Sequence, residues 1–295
     1  MLPTTTTTAS PPPRLQLWFA YAVLYLVWGS TYLAMKTAVQ TLPPFSTAAL
    51  RFVFSGVLLV VIGRLFDKTP IQRGHLLAAL GQGVLLLVCG NAAVMWAMKT
   101  VPSGVGALIL AITPLFMALL GGALRATTWV GLALGTLGIG ILVDPFSDHA
   151  AVAPSGVLLL VFASAAWAVG SLLPKRLPPH PSNATATGLQ MLVGATVQFG
   201  MAQAMGEEIV LATTTTASWL SLLYLAVMGS LLGFTCYGWL LKVEPPARVA
   251  TYAYVNPVVA VLLGAAIGGE QITTRVVVAA AVIVVAVVLI LRSKR

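Results

Sequence analysis

Long apolar runs, separated by brief polar or proline-rich breaks, follow one another along almost the whole chain. A helix needs about 20 mostly apolar residues to cross a bilayer. By that measure the runs 16-37, 45-63, 74-97, 103-123, 127-143, 155-174, 185-204, 217-240, 247-267 and 273-291 each predict a spanning helix, ten in all. The breaks include Leu42-Pro43-Pro44, Arg64-Leu65-Phe66-Asp67-Lys68, Leu177-Pro178-Pro179-His180-Pro181 and Glu244-Pro245-Pro246. None is long enough for a soluble domain. Residues 1-14, a threonine run ending in Ala-Ser-Pro-Pro-Pro-Arg, read as a disordered tail. The first run shows no small-residue cleavage pattern and reads as a helix that stays in the protein.

Composition agrees. The 295 residues are 59% hydrophobic and 8% charged, against about 25% charged in a soluble domain. So little charge cannot cover a water-facing surface, so the lipid bilayer is the expected surroundings. The net charge of +9 does not point to nucleic acid, because the basic residues lie between apolar runs and set topology instead. With both termini cytoplasmic, the inner segments hold Arg14, Arg64, Lys68, Arg73, Arg125, Lys175, Arg176, Lys242, Arg248, Arg292, Lys294 and Arg295. The acids Asp144, Asp148, Glu207, Glu208 and Glu270 fall outside. Cys89 and Cys236 sit in apolar runs, and neither a disulfide pairing, a metal site nor a cofactor is expected.

The chain also repeats itself. Trp28 and Lys36 recur as Trp167 and Lys175 at an offset of 139, and Trp96, Lys99, Pro102, Pro114 and Gly121 recur as Trp239, Lys242, Pro245, Pro257 and Gly264 at 143. Each half, 15-145 and 154-292, then carries five spans. An odd number inserts the second half from the other side, which predicts an all-α integral membrane fold of two five-helix inverted-topology repeats. Two related conformations, open to either side, are the physical basis of alternating access.

Trp28-Gly29-Ser30 followed by Lys36, Pro43-Pro44 and Arg51-Phe52 resembles the opening of EamA-type members of the drug/metabolite transporter superfamily. Ala107 through Pro114 with Gly121-Gly122 is similar to their fourth span, and Asn256-Pro257 followed by Gly268-Gly269-Glu270 to their ninth and its exit. The resemblance implies two EamA repeats around a central cavity, and export or exchange of amino acids, other metabolites or drugs at the cell membrane. One departure stands out. Where the family often has a Glu after the fourth span, this chain reads Gly122-Ala123-Leu124-Arg125-Ala126.

The site candidates are polar or aromatic residues inside the spans. Arg51 lies about 9 Å into the second run at 1.5 Å per residue, where a charge is costly. It either offers a positive group to a substrate carboxylate or phosphate, or snorkels to the headgroups or bonds a neighbouring carbonyl. Gln190 is its counterpart in the second half. Trp28 and Trp167 suit cavity lining, and Trp96 and Trp239, near span ends, an interfacial belt. Asn91, Thr113, Tyr252 and Asn256 are further cavity candidates, Tyr252 and Asn256 sharing a helix face. Pro114 and Pro257 are hinge candidates, or packing kinks. Gly131, Gly135 and Gly138 read as close-packing positions. No Asp or Glu lies at the centre of a span, so coupling through a buried acid has only Glu270, near the outer boundary, to call on.

These features favour a transporter of a small-molecule substrate. The alternatives are a membrane-embedded scaffold or an enzyme. No Gly-x-Ser-x-Gly, His-Glu-x-x-His or Walker-type loop supports catalysis. The sequence does not fix whether two copies form a homodimer.

Overall fold

The computed structural model describes residues 13-120, 126-143, 153-244, 249 and 251-292. Of the tail expected over 1-14, residues 1-12 lie outside this description. Arg14 already belongs to the first helix, which starts behind an extended Pro13 (φ −55°, ψ 132°).

Every predicted run is largely helical over its described residues, and no strand occurs among them. The helices are α1 (Arg14–Ala38), α2 (Pro44–Phe66), α3 (Arg73–Ala97), α4 in two pieces (Ser103–Leu110 and Thr113–Leu120), α5 (Ala126–Val143), α6 (Pro154–Lys175), α7 (Asn183–Ala204), α8 (Thr216–Val243), α9 (Tyr252–Ala266) and α10 (Thr274–Arg292). Among the described residues 5 helices, α1, α2, α3, α6 and α8, are long and apolar enough to cross a membrane; parts of α4, α9 and α10 form shorter apolar helices. This is a multi-pass membrane protein.

Local chemistry sets the helix ends. Pro44 and Pro154 stand at the first turns of α2 and α6, where a missing N–H costs nothing. The side chains of Ser182 and Thr215 cap α7 and α8 by accepting from Thr185 N and Ser218 N. In α4 the helix breaks at Ala111-Ile112 just before Pro114, and the Thr113 hydroxyl donates to Leu110 O at 2.7 Å. In α9 the helix runs on through Pro257. The two paired prolines therefore have different local backbones.

Three spans contain a wide, π-wound segment: Val23–Val27 in α1, Gly83–Ala92 in α3 and Leu225–Leu232 in α8. Such turns release carbonyls from the helix ladder and recur at functional sites.

Packing runs between the halves. α2 lies on α7, α5 on α10, α1 on α8 and α9, and α6 on α3 and α4. Small residues allow the closest approaches. A Cβ on Gly188 of α7 would stand 2.7 Å from Val60 Cγ2 and 2.8 Å from Gly56 O of α2. Gly138 of α5 packs in the same way against Ile283 and Ala279 of α10.

Polar bonds tie the halves at both ends of the bundle. At one, the carboxylate end, Glu270 accepts from Ser103 N (2.7 Å) and Gly104 N (3.2 Å) at the start of α4 and pairs with Lys36 at 3.7 Å. Glu207 does likewise for α2, accepting from Phe45 N (3.1 Å), Ser46 N (2.7 Å) and Ser46 Oγ (2.9 Å). Glu270, the one acid the sequence offered for coupling, is thus engaged as a helix cap. At the opposite, histidine end, His180 Nε2 meets Thr69 O at 3.0 Å, and the His75 and His180 rings stand 5.0 Å apart. There the Thr69 hydroxyl and amide, both bonded to Asp67, hold its carboxyl below the usual carboxylate range.

Candidate functional site

The middle of the bundle holds a partly open cavity, with an empty volume of about 600 Å³ counting the open solvent at its mouth. Seven helices contribute to its wall: α1 with Trp28, Thr31, Tyr32 and Met35, α2 with Arg51, α3 with Asn91, α4 with Thr113, α6 with Trp167, α8 with Phe234 and α9 with Tyr252.

Arg51 decides the character of this cavity. The residue is 2% exposed, which rules out snorkelling. Its Nε donates to Ser230 Oγ at 2.5 Å and its Nη1 to Asn91 Oδ1 at 3.3 Å, and its Cζ lies 4.9 Å from the Phe52 ring centroid. Both hydrogen-bond partners are neutral side chains, and no carboxylate among the described residues lies within 4.0 Å. A guanidinium carries five N–H donors, so these bonds leave donors over at the cavity wall.

The wide turn of α8 builds this arrangement. It brings Ser230 to Arg51, and Gly229 keeps the space clear: a Cβ there would stand 3.0 Å from Arg51 Nη2 and 3.0 Å from Thr31 Cγ2. Its released carbonyls find partners on other helices. Gly229 O accepts from Trp28 Nε1 at 3.1 Å, and Ser55 Oγ donates to Ala226 O at 2.8 Å. The wide turn of α1 is held in the same way by Asn256. With the carboxamide turned so that both its ends are satisfied, its nitrogen donates to Leu24 O (3.0 Å), Tyr25 O (3.2 Å) and Tyr252 O (3.1 Å). In α3, Leu87 O accepts from Gln198 Nε2 at 2.7 Å. Each wide turn therefore has an amide, hydroxyl or indole of another helix closing it.

Trp28 stands at the hub of an aromatic cluster. Its ring centroid lies 5.8 Å from Trp167, 5.4 Å from Phe234, 5.1 Å from Tyr237 and 5.3 Å from Tyr252. The cluster forms a wall. Beyond it, toward the histidine end, lies a second cavity of about 860 Å³ empty volume, lined by Gln82 and Leu86 of α3, Thr187 and Gln190 of α7, and Tyr237 and Lys242 of α8. Phe234 borders both cavities. Among the described residues, no Asp or Glu lines either one.

Of the residues singled out by the sequence, Trp28, Arg51, Asn91, Thr113, Trp167 and Tyr252 all meet at the central cavity. Asn256 does not line it; it is buried behind, holding the wide turn of α1 and bonded to the Tyr32 hydroxyl. Pro114 follows the break in α4 one residue after the cavity-lining Thr113. Trp96 stacks on Phe45 at 5.2 Å and carries Lys99 on its face at 4.7 Å. Sequence reasoning missed Gly229-Ser230 and Glu207. The first had a visible signal, a Gly-Ser pair inside an apolar run like Gly29-Ser30. The second had none, since a loop acid reads as a solvated one.

A model of the EamA-like transporter family matches residues 16–143 and again 154–292. The chain belongs to the EamA-like transporter family. Among relatives of this EamA-like chain, the "Uncharacterized inner membrane transporter YedA" of Escherichia coli (strain K12) is 37% identical over 265 residues, covering 88% of this chain and 85% of that protein. A "Probable amino-acid metabolite efflux pump" of Salmonella typhimurium is 28% identical over 275 residues, covering 86% and 88%. A solved crystal structure with 20% identity superposes with a TM-score of 0.66 over 94% of this chain and 96% of that one, a likeness of fold. The protein is a membrane transporter.

Proposed function

We propose that this transporter carries small metabolites bearing a carboxylate, amino acids or related compounds in the first place, and exports or exchanges them by alternating access. One observation carries the reading. Arg51 is a buried cation at a cavity wall with neutral partners alone, and an uncompensated buried charge is strongly unfavourable. A substrate carboxylate supplies the missing countercharge, and drugs with an anionic group fit the same description. The name of the Salmonella relative, "Probable amino-acid metabolite efflux pump", agrees with this class.

Alternating access has its support in the packing. Exchanging each helix of α1–α5 with the helix five places later turns the pairs α1–α8 and α1–α9 into α6–α3 and α6–α4, and leaves α2–α7 and α5–α10 unchanged. A ten-span, two-repeat architecture with a pseudo-two-fold axis in the membrane plane has this property, and the two family matches divide the chain in the same way. A cytoplasmic position of the histidine end and of both termini is supported by the basic residues at that end, Arg64, Lys68, Arg73, Lys175, Arg176 and Lys242. Since no carboxylate among the described residues lines either cavity, exchange or facilitated flux fits better than a pump driven through a buried acid.

The experiment is counterflow into proteoliposomes with a panel of amino acids, each beside its carboxamide. Saturable flux of carboxylates and not of the matched amides is expected. Equal flux of both removes the role given to Arg51, and no saturable flux of any compound favours a membrane-embedded scaffold or enzyme.

A further inference from the structure

We infer that the cavity at the histidine end is a second binding station for a small carboxylate with an apolar body, built by Thr187, Gln190 and Gln82 with Lys242 at its rim. The inference takes its ligand class from the transport reading; the site itself stands on separate observations.

Thr187 and Gln190 are 3% and 7% exposed. They lie three residues apart on α7 and so share a face, and both border the cavity. Neither side chain makes a hydrogen bond to a described residue, and neither has a fully buried unpartnered polar atom, so their polar atoms remain open to the cavity. Elsewhere on α7, Thr185 Oγ1 donates to Ser182 Oγ at 3.2 Å and Gln198 Nε2 to Leu87 O at 2.7 Å, while Gln198 Oε1 has no partner among the described residues. Gln82 of α3, across from Thr187 and Gln190, is likewise without a partner among the described residues.

Lys242 adds charge. Its Nζ donates to Pro181 O at 2.8 Å, which uses one of three ammonium donors. Two amides, a hydroxyl and an ammonium then surround this space. That donor set suits a carboxylate. Leu86, Phe234, Tyr237 and Leu241 supply an apolar remainder, which suits a hydrocarbon or aromatic body.

The position gives the station its use. Phe234 and Tyr237 belong to the aromatic wall around Trp28, so the station and the Arg51 cavity face each other across that wall. Gln190 is the repeat counterpart of Arg51. The fold thus sets a neutral amide where the other station has a buried guanidinium, with the Lys242 ammonium only at the rim, and this station holds the same anion more weakly.

The test uses the full chain in nanodiscs and the probe 4-fluorobenzoate, followed by ¹⁹F NMR titration. The wild type is expected to take up two equivalents with distinct affinities. Arg51→Gln should keep the weaker one alone. Thr187→Val combined with Gln190→Leu should keep the Arg51 event, weaken the other at least tenfold, and leave the melting temperature unchanged because no internal bond is lost. If the equivalent left in Arg51→Gln survives the Thr187→Val and Gln190→Leu changes, the station is overturned. It is equally overturned by a single wild-type equivalent that Arg51→Gln abolishes, or by no binding of the probe. A single equivalent lost with Thr187→Val and Gln190→Leu and untouched by Arg51→Gln keeps the station and sinks the role of Arg51.

Discussion

Replacing Arg51 by glutamine puts the residue of the second repeat in the place of the first and removes one positive charge from the central cavity. The transported carboxylate loses a charge-assisted hydrogen bond, a contact of about 1.5–3 kcal/mol. At about 1.4 kcal/mol per decade, KM should rise roughly 10- to 150-fold. The protein itself should suffer far less. Ser230 Oγ and Asn91 Oδ1 lose their donor, but the new amide can serve one of them, and removing a buried cation relieves its desolvation. The assay is initial-rate uptake into proteoliposomes over a range of carboxylate concentrations, at matched protein density, with the melting temperature of each variant measured in parallel. A KM within threefold of wild type refutes the countercharge argument. So does a loss of flux that is equal for a carboxylate and its amide, because a merely structural Arg51 would harm both.

Gly188→Ala drives a Cβ against the backbone of α2; overpacking of this kind costs about 1–3 kcal/mol and should show as a lower melting temperature in detergent. Asn256→Leu leaves the carbonyls of Leu24 and Tyr25 without their donor, at about 1–3 kcal/mol for each buried group; a monodisperse peak at wild-type yield in size exclusion would contradict this. Glu270→Gln removes a charge from the start of α4, an effect of about 0.3–1 kcal/mol, and loosens the carboxylate end. In a background lacking Cys89 and Cys236, a Met35→Cys thiol should react several-fold faster with an impermeant reagent from that side, and an unchanged rate would count against a closing role. Asp67 titrates below the ordinary carboxylate range, so its hold on Thr69 is complete above the ordinary value near ~4 and disappears as the pH falls through the lower folded value. A ¹³C titration of its carboxyl with a midpoint at or above the ordinary value would show the hold to be absent.

Much of the fold was visible in the chain because composition alone forces it. Runs such as 45-63 and 155-174 have no alternative to helix once lipid is the solvent, and Pro114 announced the break in α4. Arg51 drew notice for the same reason, as a charge where none is cheap. The wide turns left no trace, because a π-wound segment is fixed by its partners: Asn256 lies more than 200 residues from the carbonyls of Leu24 and Tyr25 that it holds. The bond from Arg51 to Ser230 spans a separation of 179 residues, beyond any local pattern. Glu207 reads in the sequence as an outer loop acid and Glu270 as the one acid left for coupling, since a helix end that needs capping from the other half looks like any other helix end. Gln190 was noticed as the counterpart of Arg51, but its lack of a partner is a property of the packed α7 face and has no counterpart in spacing.

The wide turns also make chain length part of the site. Each such turn holds an extra residue, and one residue of α-helix is about 100° of rotation. Deleting one residue within Leu225–Leu232 would close the turn and swing one half of α8 by that angle, taking Ser230 away from Arg51 or Phe234 away from the aromatic wall. α2 has no wide turn through which to compensate. Among related chains, a one-residue gap inside Val23–Val27, Gly83–Ala92 or Leu225–Leu232 therefore signals a rebuilt cavity, whereas a gap of the same size in a connecting loop leaves the cavity as it was.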